Sequence, residues 1–321
     1  MSSILLTGGA GFIGSNLCKA LLADERVNRV RILDNFCTGY RQNLAPFAGH
    51  SKFELLEGDI TDYQVCENAM KGMDLVSHQA ALGSVPRSIA DPVTSNATNI
   101  SGTVNIYTAA QQAGIKRIVY AASSSTYGDS ESLPKIESVI GRPLSPYAVT
   151  KYVMELYADV YARTYDMEFV GLRYFNVFGP KQSPQGAYAA VIPLFMDAVL
   201  NHEAPTINGD GSFSRDFTYV DNVVDANIKA LFTENSDAVN QVYNIAFGES
   251  TTLLQLFQYI REVAGSDLEP AFGPFRKGDI PHSLANVDKA KSLLGYTPGI
   301  SVKEGLKRAF EWYKENRTYF E

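Results

Sequence analysis

The sequence lacks any apolar run long enough to cross a membrane, and it has no excess of basic residues. No stretch of its 321 residues approaches the roughly 18 apolar residues of a membrane-spanning helix. Lys and Arg number 28 against 35 Asp and Glu, for a net charge of −7. Nucleic acids and anionic membranes are both bound through a basic face, so the composition predicts a protein that binds neither.

Cysteine and histidine are scarce and scattered. Cys18, Cys37 and Cys66 show no C-x-x-C spacing, and the 4 histidines share no metal-ligand spacing. We therefore expect neither a disulfide framework nor a metal site. The apolar run "ILLTGG" already begins at Ile4, which leaves no room for a cleavable leader, and we expect a cytoplasmic protein.

Short apolar runs alternate with helical patterns through the first half of the chain. Strands are predicted over 3–7, 29–34, 52–57, 73–78, 116–122 and 168–174, and helices over 12–23, 62–71, 93–113 and 146–165. This alternation is typical of βαβ units with helices on both faces of a parallel sheet. The predicted fold is α/β, with a Rossmann-type doubly wound sheet.

After "RYFNVFGP" the alternation stops, and turn residues dominate "KQSPQGA" and "NHEAPTINGDGSFSRDF". We predict a Rossmann domain over 1–176, rejoined by about 217–247, and a smaller, discontinuous α/β substrate-binding lobe within 177–321.

A glycine array separates the first strand from the first helix. "LLTGGAGFIGSNL" places Gly8, Gly11 and Gly14 where the backbone can approach a pyrophosphate at a helix N-terminus. Asp34 ends the second strand, 20 residues after Gly14, where a carboxylate accepts hydrogen bonds from ribose hydroxyls and repels a 2′-phosphate. The pattern favours NAD over NADP. Asp59 and Ile60 follow the third strand, where an adenine ring could be held.

Tyr147 and Lys151 lie four residues apart on the predicted helix 146–165, and therefore on one face. A free tyrosine has a pKa near 10, and a neighbouring ammonium lowers it by roughly 1–3 units. Such spacing alone is commonly a solvated helix face. Beyond a nucleotide loop and a strand that ends in Ser123, Ser124 and Ser125, it favours a proton carrier instead.

Together these segments resemble the extended short-chain dehydrogenase/reductase superfamily, in its nucleotide-sugar branch. The resemblance is carried by "TGGAGFIG", Asp34, "SSSTYG", "SPYAVTK" and "LRYFNVFGP", and it runs essentially end to end. "GSVPRS", "QGAYAAVIP" and "GDIPHS" further resemble the 4-epimerases that interconvert UDP-GlcNAc and UDP-GalNAc. The resemblance implies an enzyme with NAD on the sheet, a UDP-sugar between two lobes, and a homodimer packed through helices 93–113 and 146–165. By analogy, the product would serve polysaccharide biosynthesis.

The resemblance also implies individual roles. Tyr147 would take the proton of the sugar 4-hydroxyl, Lys151 would hold the nicotinamide ribose and keep the tyrosine pKa low, and Ser123 would bind the oxygen at C4. The cofactor would be bound by Gly8, Gly11, Phe12, Ile13, Gly14, Asp34, Asp59, Ile60, Ala80, Tyr147 and Lys151. The substrate would be bound by Gly83, Ser84, Ser123, Ser124, Asn176, Ala190, Val191, Asn208, Arg215, Arg276, Asp279 and Ser283.

Two of these substrate assignments carry a physical argument. Arg215 and Arg276 would anchor the diphosphate, because a guanidinium makes paired bonds to phosphate oxygens. The resemblance also implies that Ser283 occupies the position where a bulky residue would exclude an N-acetyl group, so its small side chain would favour acetylated sugars.

Three other functions stay open from the sequence. A nucleotide-sugar 4,6-dehydratase begins with the same oxidation, but Ser124 and Ser125 stand where its acid and base would be. A uronic acid epimerase or decarboxylase needs a cation for the sugar carboxylate, and Arg87 is a candidate. A non-catalytic NAD-binding protein would be marked by loss of Tyr147 or Lys151, and both are present.

Overall fold

A computed structural model describes residues 1–185, 189–275 and 280–320. Its strands are β1 Ser2–Thr7, β2 Val27–Asp34, β3 Phe53–Glu57, β4 Leu75–His78, β5 Arg117–Ser123, β6 Glu168–Tyr174, β7 Val177–Phe178, β8 Thr206–Asn208, β9 Ser214–Arg215, β10 Thr218–Tyr219, β11 Gln241–Ile245, β12 Thr251–Thr252 and β13 Ala271–Gly273. Its α-helices are α1 Phe12–Ala23, α2 Tyr63–Met70, α3 Val85–Ala90, α4 Pro92–Asn96, α5 Gly102–Gln112, α6 Pro146–Tyr165, α7 Val191–Leu200, α8 Val220–Phe232, α9 Leu253–Ala264, α10 Asp288–Leu294 and α11 Val302–Glu315.

The main sheet has seven parallel strands in the order β11-β6-β5-β4-β1-β2-β3. Its central strands are apolar on both faces: Ile4, Leu5 and Leu6 of β1 are completely buried. Burial on both faces is what a parallel sheet covered by helices requires. The six predicted strands are confirmed within one or two residues at their ends, and the seventh, β11, lies in the segment expected to rejoin the sheet.

The strand order reverses between β1 and β4, so the loops after these two strands diverge. In an open parallel sheet this switch point leaves a crevice at the carboxyl ends of the strands, where ligands bind. The loops that follow β1, β2, β4 and β5 all open toward this crevice.

The predicted helix 93–113 is not continuous in the structure. It consists of α4, a π-helical turn over Ala97–Ser101, and α5. Asn99, inside the π turn, is completely buried and exchanges hydrogen bonds with the backbone of Leu82: its Oδ1 accepts from the N–H at 2.7 Å and its Nδ2 donates to the carbonyl at 3.0 Å. The regular α-helical hydrogen bonding is thus interrupted where the buried side chain of Asn99 binds the loop after β4.

Beyond Tyr174 the strands become short and isolated, as the sequence predicted, with two or three residues in each described strand except β11. β8 pairs with β13 in parallel and β9 with β12 in antiparallel, while α7 and α9 pack beside them. The chain returns to the main sheet through α8 and β11. The exact boundary between the two lobes stays a prediction. No helix within the described residues has the length and apolar character that a membrane crossing demands.

Candidate active site

The turn after β1 is shaped by glycines that no other residue can replace without strain. Gly8 has φ +69°, and a Cβ there would lie 2.7 Å from the amide nitrogen of Ala80. A Cβ at Gly14 would lie 2.1 Å from the carbonyl oxygen of Gly8. Gly11 is the N-cap of α1 and offers no side chain to the first amides of that helix. The turn therefore presents an uncapped helix N-terminus to the crevice, which suits a pyrophosphate.

Asp34 ends β2 beside this turn, as the sequence predicted. Its Oδ2 accepts from the Ala10 amide and its Oδ1 from the Phe36 amide, each at 2.8 Å. Burial raises the pKa of Asp34, while these two backbone hydrogen bonds oppose that rise. Each carboxylate oxygen keeps a further lone pair, so ribose hydroxyls can still be accepted.

A cavity of about 550 Å³ occupies the crevice. The predicted cofactor residues that line it are Gly8, Gly11, Phe12, Ile13, Gly14, Asp34, Ile60, Ala80, Tyr147 and Lys151. Gly83, Ser84, Ser123 and Ala190 of the predicted substrate residues also line it. One cavity thus joins the glycine turn to the tyrosine, lysine and serine of the predicted reaction site.

Other predicted site residues are not among the described residues that line this cavity: Asp59, Ser124, Asn176, Val191, Asn208, Arg215 and Ser283. Asp59 turns inside the β3–α2 loop, where it accepts from the side chains of Asn35 and Thr61. Asn176 is exposed with φ +30° just after β6. Arg276 and Asp279 lie outside the described residues.

Helix α6 carries Tyr147 and Lys151, and its start is fixed by two serines. Ser145 is the N-cap, its Oγ accepting from the Ala148 amide at 3.1 Å, and Pro146 takes the first helical position. The Tyr147 amide donates to Ser88 Oγ at 3.0 Å, which ties the helix to α3. These contacts fix the position of the first turn of α6, which carries Tyr147 at the cavity wall.

The Lys151 ammonium is buried and donates to the Ala121 carbonyl of β5 at 2.8 Å. It lies 5.9 Å from the centroid of the Tyr147 ring. Burial lowers the pKa of Lys151 to about 8. Even so, Lys151 is mostly protonated at neutral pH, and its positive charge lies beside Tyr147.

In the protein without ligands the pKa of Tyr147 is raised, and the expectation that Lys151 keeps it low stays a prediction. Burial raises the pKa of Tyr147, and a hydrogen bond with the Ser123 side chain opposes the rise. The physical reason is that loss of hydration destabilises the phenolate by more free energy than the hydrogen bond from Ser123 stabilises it. Burial therefore favours the neutral phenol at this position in the protein without ligands.

The three serines after β5 have separate places. Ser123 ends the strand and accepts from the Ser125 amide at 3.1 Å, which starts the 3₁₀ turn Ser124–Tyr127, and Ser125 Oγ donates to its hydroxyl at 2.9 Å. Ser124 is only partly exposed. The triplet therefore combines turn chemistry with one hydroxyl, that of Ser123, at the cavity wall.

Strand β9 brings two of the predicted substrate residues together. Arg215 donates from Nη1 to the carbonyls of Ser214 at 2.9 Å and Pro281 at 3.2 Å. The Ser283 amide donates to the Ser214 carbonyl at 3.1 Å. Ser283 is thus attached through its backbone to the short strand that carries Arg215. Asn208 lies apart from them, paired with Gly273 in β13.

The sequence did not single out several residues of the cavity wall. Gln79 follows β4 and Tyr174 ends β6, and the Tyr174 hydroxyl donates to Gln79 Oε1 at 3.0 Å. Cys37 and Thr38 come from the loop after β2. Only their position in the sequence could have indicated a place in the cavity wall, because each of them lies at or just after the carboxyl end of a predicted parallel strand.

The charges on the cavity wall bear on the alternative reactions. Among the described residues that line the cavity, Asp34 is the one carboxylate, and Arg87 is a cation besides Lys151. Asp34 lies at the end of the cavity that the glycine turn forms, where its carboxylate accepts from the Ala10 amide. No acid and base pair for an elimination therefore lies in the described lining.

Comparison with known proteins gives consistent matches. A model of the "NAD dependent epimerase/dehydratase family" matches residues 4–246. A putative UDP-glucose 4-epimerase of Methanocaldococcus jannaschii is 39% identical over 98% of this chain and 99% of its own.

Two solved structures extend the match to three dimensions. A UDP-N-acetylglucosamine 4-epimerase from Methanobrevibacter ruminantium, in complex with UDP-N-acetylmuramic acid, is 38% identical with a TM-score of 0.92, over 98% of this chain and 99% of that one. A UDP-glucose 4-epimerase from Thermotoga maritima, with UDP-glucose, is 36% identical with a TM-score of 0.91, over the same shares.

Proposed function

The chain belongs to the NAD dependent epimerase/dehydratase family and is an NAD-dependent enzyme of the nucleotide-sugar 4-epimerase type; from this premise we propose that it interconverts UDP-GlcNAc and UDP-GalNAc through a transient 4-keto sugar. The observation that carries the proposal is the single cavity in which the glycine turn, Ser123, Tyr147 and Lys151 meet. Reversible oxidation at one carbon needs a cofactor site, a proton carrier and a group that binds the oxygen, and this cavity holds candidates for all three.

The residues around the glycine turn fit NAD. Gly8, Gly11 and Gly14 leave room for a pyrophosphate at the start of α1, and Asp34 keeps free lone pairs for a ribose. In our proposal Phe12, Ile13, Ile60, Ala80 and Asp59 complete the binding site. NAD supplies the chemistry of accepting a hydride from C4 of the sugar and returning it.

The chain's own part in the reaction is to move one proton. We assign Tyr147 as the base that takes the proton of the 4-hydroxyl and as the acid that gives it back after the sugar has turned over. Ser123 lies within hydrogen-bonding contact of Tyr147 and is assigned to bind the same oxygen at C4. Lys151 supplies a positive charge within 5.9 Å of the Tyr147 ring centroid, which favours the phenolate.

Turnover of the 4-keto sugar requires that the rest of the substrate stays bound. We assign Arg215, with Arg276, to the diphosphate and Asn176, Ala190, Val191, Asn208 and Asp279 to the sugar and uridine. Gly83 and Ser84 line the cavity near Tyr147 and are assigned to the sugar. The bonds from Arg215 Nη1 to the Ser214 and Pro281 carbonyls support this role, because they fix the position of the guanidinium while the sugar turns over.

The choice of an N-acetylated sugar rests on Ser283. Its backbone is held beside Arg215 through Ser214, and its side chain is small and half-buried. The similar Methanobrevibacter ruminantium enzyme is named for UDP-N-acetylglucosamine and was solved with an N-acetylated sugar nucleotide, which supports the proposal.

We propose a homodimer packed through helices 93–113 and 146–165. Apolar side chains stand exposed on α3, α4 and α6, which pack together: Ile89, Val93, Val149, Leu156 and Val160. The opposite side of α6 faces inward with Lys151, so one helix would serve both the reaction site and the interface.

The proposal is tested by incubating the purified protein with UDP-GlcNAc and following the products by NMR, with UDP-glucose as a parallel substrate. Formation of UDP-GalNAc at a higher kcat/KM than that for UDP-galactose formation supports it. A 4-keto-6-deoxy sugar would show a dehydratase instead. Epimerisation of UDP-glucose alone would keep the reaction class and refute the choice of sugar.

A second candidate has one observation in its favour. Arg87 lines the cavity close in sequence to Ser84, and a guanidinium is suited to a carboxylate on the sugar. UDP-glucuronic acid is therefore the third substrate to test. If Arg87→Gln lowers kcat/KM for UDP-glucuronic acid but not for UDP-GlcNAc, the uronic acid is the better assignment.

A further inference from the structure

The loop after β2 forms one wall of the cofactor cavity. Asn35, Cys37, Thr38 and Gly39 from this loop line the cavity next to Asp34. The loop continues into a 3₁₀ turn over Arg41–Asn43. Anything that loosens this wall opens the cavity at the end where the glycine turn lies.

Asn43 is the point through which this wall is fixed. It is completely buried, and its Nδ2 donates to the Ala10 carbonyl of the glycine turn at 2.7 Å. The Tyr40 amide donates to the same carbonyl at 3.1 Å. Ala10 in turn donates to Asp34, so the wall, the glycine turn and the acidic residue form one hydrogen-bonded unit.

Two aromatic residues that follow α11 hold this unit from outside; we call Tyr319 and Phe320 the aromatic clasp. The Tyr319 hydroxyl donates to Asn43 Oδ1 at 2.8 Å, and the Tyr319 carbonyl accepts from the Gln42 side chain. The Phe320 ring packs edge-on against Tyr40, with 5.3 Å between the centroids, and Phe320 is only 9% exposed. The clasp therefore contacts three consecutive parts of the wall, at Tyr40, Gln42 and Asn43.

The facing wall of the cavity, over 181–185, is attached to the same unit. Gln182, Ser183 and Gln185 line the cavity from this side. Lys181 Nζ donates to the Asn43 carbonyl at 3.0 Å, and the Tyr40 hydroxyl donates to Ser183 Oγ at 3.3 Å. Through Tyr40 and Asn43, the clasp thus supports the bonds that bridge the two walls.

We propose that Tyr319 and Phe320 are positioning residues for the cofactor, which hold the wall 35–44 against the glycine turn and set the rate at which NAD leaves. The chemistry makes such retention useful, because an epimerisation that returns its hydride regenerates NAD in each cycle and needs no exchange. The inference rests on NAD binding and goes beyond the proposed choice of sugar. It also separates cofactor retention from catalysis, since the clasp touches no residue assigned to the reaction.

The test is the exchange rate of NAD in the full-length protein. Protein loaded with NAD is mixed with excess 1,N⁶-etheno-NAD, and the bound label is followed in the native chain, Tyr319→Phe and Phe320→Ala. Tyr319→Phe keeps the ring and removes the hydrogen bond to Asn43. Tyr259→Phe in α9 is the matched control, because its hydroxyl makes no side-chain hydrogen bond within the described residues.

We expect Tyr319→Phe to exchange NAD about three- to tenfold faster than the native chain, as the loss of one partly buried hydrogen bond predicts. Phe320→Ala should exchange faster still, and Tyr259→Phe should match the native rate. The kcat at saturating NAD should stay unchanged in all three. If Phe320→Ala fails to fold, the comparison of Tyr319→Phe with its control decides alone.

A native exchange rate in Tyr319→Phe would overturn the proposal. If kcat is also lowered in that variant, the effect lies in the reaction and not in cofactor retention. Failure of the proposed sugar specificity would leave the exchange measurement unaffected, since NAD exchange is read without a sugar substrate, and kcat is measured with whichever UDP-sugar the protein epimerises.

Discussion

Lys151 meets two demands that conflict. In our proposal its charge favours the phenolate of Tyr147, but its burial against β5 disfavours that charge and lowers its pKa to about 8. In the unfolded chain a lysine has its ordinary pKa near 10.4, so it binds a proton more readily than the folded protein does. Below pH 8 the folded protein therefore carries the whole cost of this buried charge, and raising the pH from about 8 to about 10 relieves it.

We predict that the free energy of unfolding of the native chain, relative to Lys151→Met, rises over this pH range by up to about 3 kcal/mol. Chemical denaturation of the NAD-free proteins at several pH values measures it. Lys71→Met, at an exposed lysine after α2, tests whether the loss of any lysine has the same effect. A pH-independent difference between the native chain and Lys151→Met would show that the buried ammonium is not titrating there.

Ser283 is the residue at which the choice of sugar can be tested alone. Replacing Ser283 by Tyr should lower kcat/KM for UDP-GlcNAc by about 10- to 100-fold and leave UDP-glucose less affected, because the added ring fills the space assigned to the acetamido group. Ser283→Ala, which keeps that space, should retain activity on UDP-GlcNAc. Steady-state kinetics on both sugars decide it, and unchanged activity of Ser283→Tyr on UDP-GlcNAc would contradict our account of the pocket.

Helix α6 depends on a buried ion pair one turn beyond Lys151. Arg173 of β6 binds Glu155 through two bonds, Nε to Oε1 at 2.8 Å and Nη2 to Oε2 at 2.7 Å, and the two side chains are only 4% and 6% exposed. The pair attaches the helix to the sheet on the face that carries Tyr147 and Lys151. Removal of one partner would leave the other charge buried without compensation.

We predict that Glu155→Gln lowers the free energy of unfolding by about 3–5 kcal/mol, and that the double variant Glu155→Leu with Arg173→Met recovers much of this loss. Thermal and denaturant unfolding measure both. Asp159→Asn, which breaks the exposed pair with Arg163 on the same helix, is the control and should leave the melting temperature almost unchanged. A loss in the double variant as large as in Glu155→Gln would argue against uncompensated charge as the cause.

The elements differ in how far the sequence determines them. The strands of the sheet were predictable because a parallel strand buried on both faces reads as an apolar run, and the site residues at their carboxyl ends follow from that topology. The π turn around Asn99 was not, since it depends on a bond to Leu82 in another loop. The clasp was not predictable either, because Tyr319 and Asn43 lie 276 positions apart and meet only in the folded chain.

At the scale of the whole molecule, the cavity lies where the parallel sheet meets the less regular lobe. The wall over 181–185 and the wall over 35–44 belong to different halves of the sequence, and Lys181 and Tyr40 join them. The residues that we assign to the reaction, Ser123, Tyr147 and Lys151, lie on the sheet side, on β5 and α6.

The outward face of α6 gives the last prediction, on assembly. Val149, Leu156 and Val160 recur at helical spacing on this face, and Leu156 is 48% exposed, while Val93 on the neighbouring α4 is 78% exposed. Contiguous exposed apolar side chains mark an interaction surface. A charge at the centre of this face should be excluded from a dimer interface, because its burial without a partner costs several kcal/mol.

We therefore predict that the native chain sediments as a dimer and that Leu156→Glu sediments as a monomer, with its NAD content retained. Leu254→Glu, which places the same charge at an exposed apolar position on α9, should stay dimeric. Analytical ultracentrifugation over a range of concentrations measures this. If Leu156→Glu remains a dimer of native affinity, the interface lies elsewhere. If the native chain is itself a monomer at micromolar concentration, the proposed dimer is refuted, and the apolar face of α6 needs another explanation.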